Sequence, residues 1–111
     1  MEPKVIYETF MSLSRAQWDS YAIGEEAIAA RADLDRARAK KIAAGEIVGK
    51  NADEREAKAR EILADEYARV EKVEAAEREA RASLEVARIR VDEIKAELRL
   101  MEVLKPAGGA A

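Results

Sequence analysis

The sequence predicts an all-α fold: a long antiparallel helical hairpin of coiled-coil type, assembled into an oligomeric helical bundle. Three observations lead there. Ala, Glu, Arg, Lys and Leu dominate, with 39% of residues charged, 49% hydrophobic (many of them alanine) and only 5% aromatic. Such a composition suits long helices and supplies too little bulky apolar surface for a multilayer core. The run from Asn51 to Leu104 contains neither Gly nor Pro and repeats apolar residues at alternating steps of three and four, the spacing of a coiled-coil seam. The only strong punctuation between helical stretches is Gly45-Glu46-Ile47-Val48-Gly49-Lys50-Asn51, a linker short enough to set its flanking helices side by side and antiparallel.

Residues 1–104 then form a single helical domain. Within 3–13, Pro3 suits a first helical turn, and Ile6, Phe10 and Leu13 share a face at steps of four and three. Ser14 and Gln17 make an S-x-x-Q capping pattern. Either a short helix ends before Ser14 or one helix runs through; nothing between Phe10 and Ser14 forces a turn, which leans toward continuity. Helix 1 spans 14–44, and Leu13, Ala16, Ser20, Ile23, Ala27, Ala30, Leu34 and Ala37 follow the three-four alternation. Gly24 is the blemish, costing up to ~1 kcal/mol relative to Ala in a helix interior, and marks a bend or a close helix crossing. Trp18 and Tyr21 lie off the seam, on a flank suited to a third element.

Gly45 is a helix-terminating C′ residue after Lys40-Lys41-Ile42-Ala43-Ala44, and the turn occupies 45–50. Asn51 caps helix 2, with Asp53 and Glu54 in its first turn and Glu54 at the capping-box position. Helix 2 runs uninterrupted over 51–104. Its heptad places Leu63, Val70, Leu84, Val91 and Leu98 at a, and Val73, Ala80, Ala87, Ile94 and Met101 at d, with Glu66 and Glu77 breaking the seam. Pro106 stops the helix, and 105–111 read as a flexible tail.

The arms are unequal, roughly 45 Å for helix 1 against roughly 80 Å for helix 2 at 1.5 Å per residue. The far end of helix 2 outruns helix 1, yet it carries the best apolar positions. Val86, Ile89, Leu100 and Val103 lie there outside the a/d seam, so the stripe is too wide for one partner helix and a monomer would expose an interface-sized surface. The expectation is a homo-oligomer associating through Leu84, Val91, Ile94, Leu98 and Met101 together with Ile6 and Phe10. The alternative is a three-helix monomer in which 3–13 folds back over the stripe. The pairs Glu54/Lys58, Glu56/Arg60, Asp65/Arg69, Glu74/Arg78 and Glu77/Arg81 put the acid four residues before the base, describing a solvated face of weak local ion pairs.

Catalysis finds no footing in this chain. Cysteine and histidine are both absent, which removes thiol chemistry, disulfides, the commonest general base and the commonest metal ligand. No nucleophile has a base beside it, and carboxylate metal sites of bundle type use Glu-x-x-His motifs that this sequence lacks. No enzyme activity, cofactor or metal is expected. Val48-Gly49-Lys50-Asn51 departs from a phosphate-binding loop: Gly45 to Gly49 is a residue too short, Asn51 replaces the hydroxyl, and no strand precedes it. A net charge of −3, from 23 acids and 20 bases, gives no reason to seek nucleic acid or anionic membrane. No apolar run reaches the ~18–20 residues of a membrane span, and Met1-Glu2-Pro3-Lys4 does not open a signal peptide, so the expected location is the cytoplasm. The tip remains. Ile47 and Val48 either fold back as a cap on Ala43, Ala52 and Ala57 or insert, with Lys50, into a protein partner.

The segment Ala43-Ala44-Gly45-Glu46-Ile47-Val48-Gly49-Lys50-Asn51-Ala52-Asp53-Glu54-Arg55-Glu56-Ala57 resembles a motif of small helical proteins of tailed bacteriophages. In these a first helix ends in a Gly-x-x-x-Gly-Lys-Asn-Ala-acid-acid-Arg turn, and a long Ala/Glu/Arg/Leu-rich helix follows. The resemblance covers residues 40–104 and is strongest over the turn. It implies a phage or prophage origin, the host-cell cytoplasm, and an accessory role beside phage DNA replication and recombination, with a phage or host protein as partner. Two functions compete. One is an oligomeric scaffold acting through self-association and protein–protein contact. The other is a single-stranded nucleic-acid-binding accessory, with Arg31, Arg36, Arg38, Lys40, Lys41 and Lys50 gathered near the tip. An acidic DNA mimic is a third idea, opposed by the interspersed Lys and Arg.

Overall fold

Pro3 supplies a preset φ for a first helical turn, and the helix it opens does not stop before Ser14. In the computed structural model, which describes residues 1–105, α1 runs unbroken over Pro3–Ala43. Residues 3–13 are therefore the beginning of α1, and Ser14 is an interior residue rather than a cap. The segment does not fold back as a separate helix, which removes the three-helix alternative in that form. Gly24 is not a close crossing either, because a Cβ added there would meet nothing within 4 Å.

Beyond the turn the chain is interrupted once. α2 covers Ala52–Ile62 and α3 covers Ala64–Leu104, with Leu63 between them at φ −106 and ψ 34. The uninterrupted helix expected over 51–104 is thus two helices. Neither Gly nor Pro marks the break; Leu63 is buried there in a cluster with Ile47 and Ala59. Its amide still donates to Ala59 O at 2.8 Å and its carbonyl still accepts from Tyr67 N at 3.0 Å, so the interruption is local. Asp65 and Glu66 stand in the first turn of α3 and Arg60 in the last turn of α2, each sign suiting the local helix dipole. No strand occurs among the described residues. The expected tail begins at Lys105, and its remainder lies outside the described residues.

The helices gather into two compact units, one of Met1–Ser20 with the chain from Ala80 onward, the other of Tyr21–Glu79. In the second unit, Ala27 and Ala30 of α1 are buried, as are Ala59, Leu63 and Val70, so alanine at the seam lets backbones approach. Cross-helix ion pairs set the register. Arg31 Nη2 lies 3.1 Å from Glu77, Arg69 lies 2.7 Å from Asp33, and Arg38 lies 2.7 Å from Glu56. The partner number falls as the α1 number rises, which makes the hairpin antiparallel. Most of the local pairs expected along helix 2 give way to these. Glu56–Arg60 forms at 3.3 Å, but Arg69 turns to Asp33, and Glu74 and Glu77 both turn to Arg31, because these side chains flank the seam within reach of α1.

In the first unit, Thr9, Val91 and Ile94 are buried, and Ile6, Leu13, Ala16, Leu84, Ala87 and Leu98 are half-buried. Thr9, rather than Phe10, takes the enclosed place on α1, its hydroxyl satisfied by donating to Val5 O at 2.7 Å. Among the described residues, Lys4–Glu8, Arg88–Glu85 and Arg90–Glu93 of this unit pair along single helices.

Candidate interaction surface

The turn is built from the residues of the glycine-rich motif, each with a mechanical task. Gly45 has φ +76, a left-handed backbone that suits glycine. Its amide donates to Ile42 O and that of Glu46 donates to Lys41 O, both at 3.0 Å, the paired bonds of a Schellman termination. Lys41 and Glu46 reinforce it with an ion pair at 3.0 Å. Asn51 Oδ1 accepts from Glu54 N at 2.9 Å, while the Glu54 carboxylate reaches back to Lys50 N at 2.7 Å, a capping box displaced by one residue. Arg55 donates to Gly49 O at 3.3 Å. Gly49 has no room for a side chain, since a Cβ there would stand 2.8 Å from Glu54 Cβ and 2.9 Å from Arg55 N. The motif is fully occupied in making the turn.

Between the glycines, Ile47 points inward. It is 7% exposed and packs in the cluster of Ala59 and Leu63, bordered by Leu34, Ala37, Ile62 and Tyr67. This corrects its assignment to a partner-binding tip, and its contacts lie farther along the hairpin than the Ala43, Ala52 and Ala57 expected for a cap. Val48 is 63% exposed and Lys50 is exposed; these two remain at the surface of the turn.

Next to Ile47, where Tyr67 borders its cluster, lies a connected polar group. Arg38 Nη1 donates to Tyr67 Oη at 3.0 Å, Tyr67 Oη donates to Glu56 Oε1 at 3.3 Å, and Arg60 stacks 4.6 Å from the Tyr67 ring centroid. One residue from each side of the Leu63 break is thereby tied to α1. Desolvation acts to raise the pKa of Glu56, but the hydrogen bond from Arg38 and the charges of Arg38 and Arg60 prevail and hold it below the usual value. For Asp33 the hydrogen bond from Arg69 leads, and the carboxyl again sits low. Every one of these groups already has a partner, so the cluster clasps three helices together. Of the six basic residues expected to gather near the tip, Arg31, Arg36, Arg38 and Lys41 are all engaged with carboxylates.

The exposed apolar surface lies elsewhere. Of the residues expected to drive self-association, Val91 and Ile94 are 3% and 2% exposed within one chain, so they serve the intrachain seam and are not open to a second copy. Leu84, Leu98 and Ile6 are half-buried on the same seam, while Phe10 and Met101 are exposed. Besides Met101, one chain leaves Val86, Ile89, Leu100, Val103 and Leu104 uncovered on α3. On the α1 stretch of the same unit, Tyr7, Met11 and Trp18 are exposed at helical spacing; in the other unit Tyr21 and Ile28 are. Trp18 and Tyr21 thus do not sit beneath a third helix. The signal for the outer stripe was in the sequence, as residues too many for one seam. The chain matches no protein-family model, no curated protein and no solved structure.

Proposed function

We propose that this protein is a non-enzymatic helical scaffold or accessory factor of phage type, acting through self-association and protein–protein contact, in the setting of phage DNA replication or recombination. One observation carries the reading. Within the unit of Met1–Ser20 and the chain from Ala80 onward, the inner seam is satisfied inside a single chain, yet α3 keeps a second apolar stripe in water. A helix with one partner has no need of a second stripe, and contiguous exposed apolar surface is the usual mark of an interface. The glycine-rich turn supports the fold rather than a ligand, so the working surface is the outer face of the helices.

The test is molar mass by light scattering after size exclusion over a range of concentrations, joined to a salt series of single-stranded DNA binding. Mass rising to a discrete multiple, without salt-sensitive DNA binding, agrees with the scaffold. A monomer at every concentration that binds DNA with a steep salt dependence replaces it with the nucleic-acid accessory. That second reading has little support here, because four of its six basic residues are neutralised by neighbours. No helix among the described residues is long and apolar enough to cross a membrane.

A further inference from the structure

Val86, Ile89, Glu93, Ala96, Leu100 and Val103 step by three and four along α3, and all are exposed. At 3.6 residues per turn they lie roughly opposite the inner seam of Leu84, Ala87, Val91, Ile94 and Leu98. In size the stripe reads alike from either end: two large apolar residues, a centre of Glu93 and Ala96, then two large apolar residues. Along one border run Glu85, Asp92 and Arg99, and along the other Arg90 and Glu97, every one exposed. Resting on the proposed self-association, we infer that this stripe pairs with the same stripe of a second copy, antiparallel, about a two-fold axis midway between Glu93 and Ala96.

The charge pattern selects that orientation. With the axis so placed, Val86 meets Val103 of the second copy, Ile89 meets Leu100, and Glu93 meets Ala96. The borders then bring Asp92 beside Arg99 and Arg90 beside Glu97, and symmetry repeats each contact. All of these border pairs are of opposite sign. Glu93 lies over a small residue and keeps Arg90 of its own helix at 3.2 Å. A parallel pairing is worse. It would keep Glu85 beside Arg90, but it would set Asp92 against Glu97 and stack Glu93 on Glu93 inside the seam, and like charges there work against association.

Because the chain contains no cysteine, single-cysteine variants report the orientation cleanly. Val86→Cys and Val103→Cys would be oxidised separately and as an equimolar mixture, alongside light scattering of the parent, Leu100→Asp, Arg99→Asp and the double exchange Asp92→Arg/Arg99→Asp. The expected results are a concentration-dependent doubling of mass, lost in Leu100→Asp, and a disulfide-linked dimer in the mixture far exceeding either variant alone. In the antiparallel pair the two copies of residue 86 stand roughly 25 Å apart. Arg99→Asp should weaken association about tenfold or more, and the double exchange should restore it. Cross-linking of Val86→Cys with itself, or a dimer indifferent to Leu100→Asp and the charge exchange, overturns this inference while leaving self-association standing. A monomer at all concentrations overturns both.

Discussion

Three alanine substitutions, each adding the same methyl group to a glycine, should change stability in different directions. At Gly49 the new Cβ would lie 2.8 Å from Glu54 Cβ and 2.9 Å from Arg55 N, and the second neighbour is backbone that cannot swing aside. Relief requires the first turn of α2 to move, which disturbs the Asn51 cap, the Glu54–Lys50 bond and the Arg55–Gly49 bond together. Loss of a cap costs ~1 kcal/mol and overpacking ~1–3 kcal/mol, so Gly49→Ala should lose about 2–4 kcal/mol. At Gly45 the penalty is the left-handed backbone alone, ~1–2 kcal/mol. At Gly24 nothing opposes the methyl within 4 Å, and the helix gains ~0.5–1 kcal/mol. Thermal melts followed by far-UV circular dichroism, with urea titrations for the slopes, would read the series. At ~4–8 °C per kcal/mol for a chain near this size, Gly24→Ala should melt several degrees above the parent, and Gly49→Ala at least ~8 °C below it. A Gly49→Ala protein as stable as the parent, or a Gly24→Ala protein less stable, would refute the geometric reasoning for the turn and for α1 respectively.

Other perturbations separate fold from surface. Ile47→Ala should cost ~2–4 kcal/mol in urea because it empties the cluster with Ala59 and Leu63, whereas Val48→Ala should stay within about 0.5 kcal/mol; equal effects would mean that Ile47 is not enclosed. Tyr67→Phe should cost about 1 kcal/mol by removing the hydroxyl that joins Arg38 to Glu56, and an unchanged melting curve would discount the clasp. Stability should stay level through neutral pH as far as side chains are concerned, since there is no histidine to titrate. It should fall on acidification: Asp33 and Glu56 have lowered folded pKa values, so the unfolded chain takes up protons first, and their contribution vanishes as pH drops through the folded values. A protein as stable at about pH 3 as at neutrality would contradict that sign.

Much of the helical architecture was legible because its causes are local and periodic. The seam from Leu13 to Ala37 and the heptad from Leu63 to Leu98 fall on enclosed or half-enclosed positions, since three-four spacing dictates which face a helix must hide. Gly45 and Asn51 carry residue types that terminate and start helices. The break at Leu63 is not legible, because no special residue marks it; it falls where Leu63 packs with Ile47, sixteen positions earlier, a contact no local pattern announces. The inward aim of Ile47 is not legible either, since a turn residue's direction depends on what the hairpin leaves open beneath it. Val91 and Ile94 are seam residues, as their spacing predicts, but they are enclosed within one chain rather than open to a second copy. Once α1 begins at Pro3 rather than Ser14, it is 41 residues long, as α3 is, and the inner stripe finds its cover within the chain. The surplus stripe of Val86, Ile89, Leu100 and Val103 was visible as a width, not as an orientation.

Both units bury apolar side chains, but they differ in their polar ties, and the surrounding salt bears on them unequally. Within Tyr21–Glu79 the ties between α1 and the later helices include Arg31 with Glu74 and Glu77, Asp33 with Arg69, and Arg38 with Glu56. Within the unit of Met1–Ser20 and the chain from Ala80 onward, Val91 and Ile94 do the joining, and the ion pairs found there stay on their own helices. Raising ionic strength shortens the screening length from ~10 Å at 0.1 M to ~3 Å at 1 M, which loosens the cross-helix ion pairs of Tyr21–Glu79, while an excluded salt such as sulfate tightens apolar burial in both units. Dissolved ions thus act as a selective probe: added sodium chloride should loosen Tyr21–Glu79 more than the other unit, whose described ion pairs do not join helices. Hydrogen exchange across a sodium chloride series would read this as a loss of protection greater in one half of the chain than in the other.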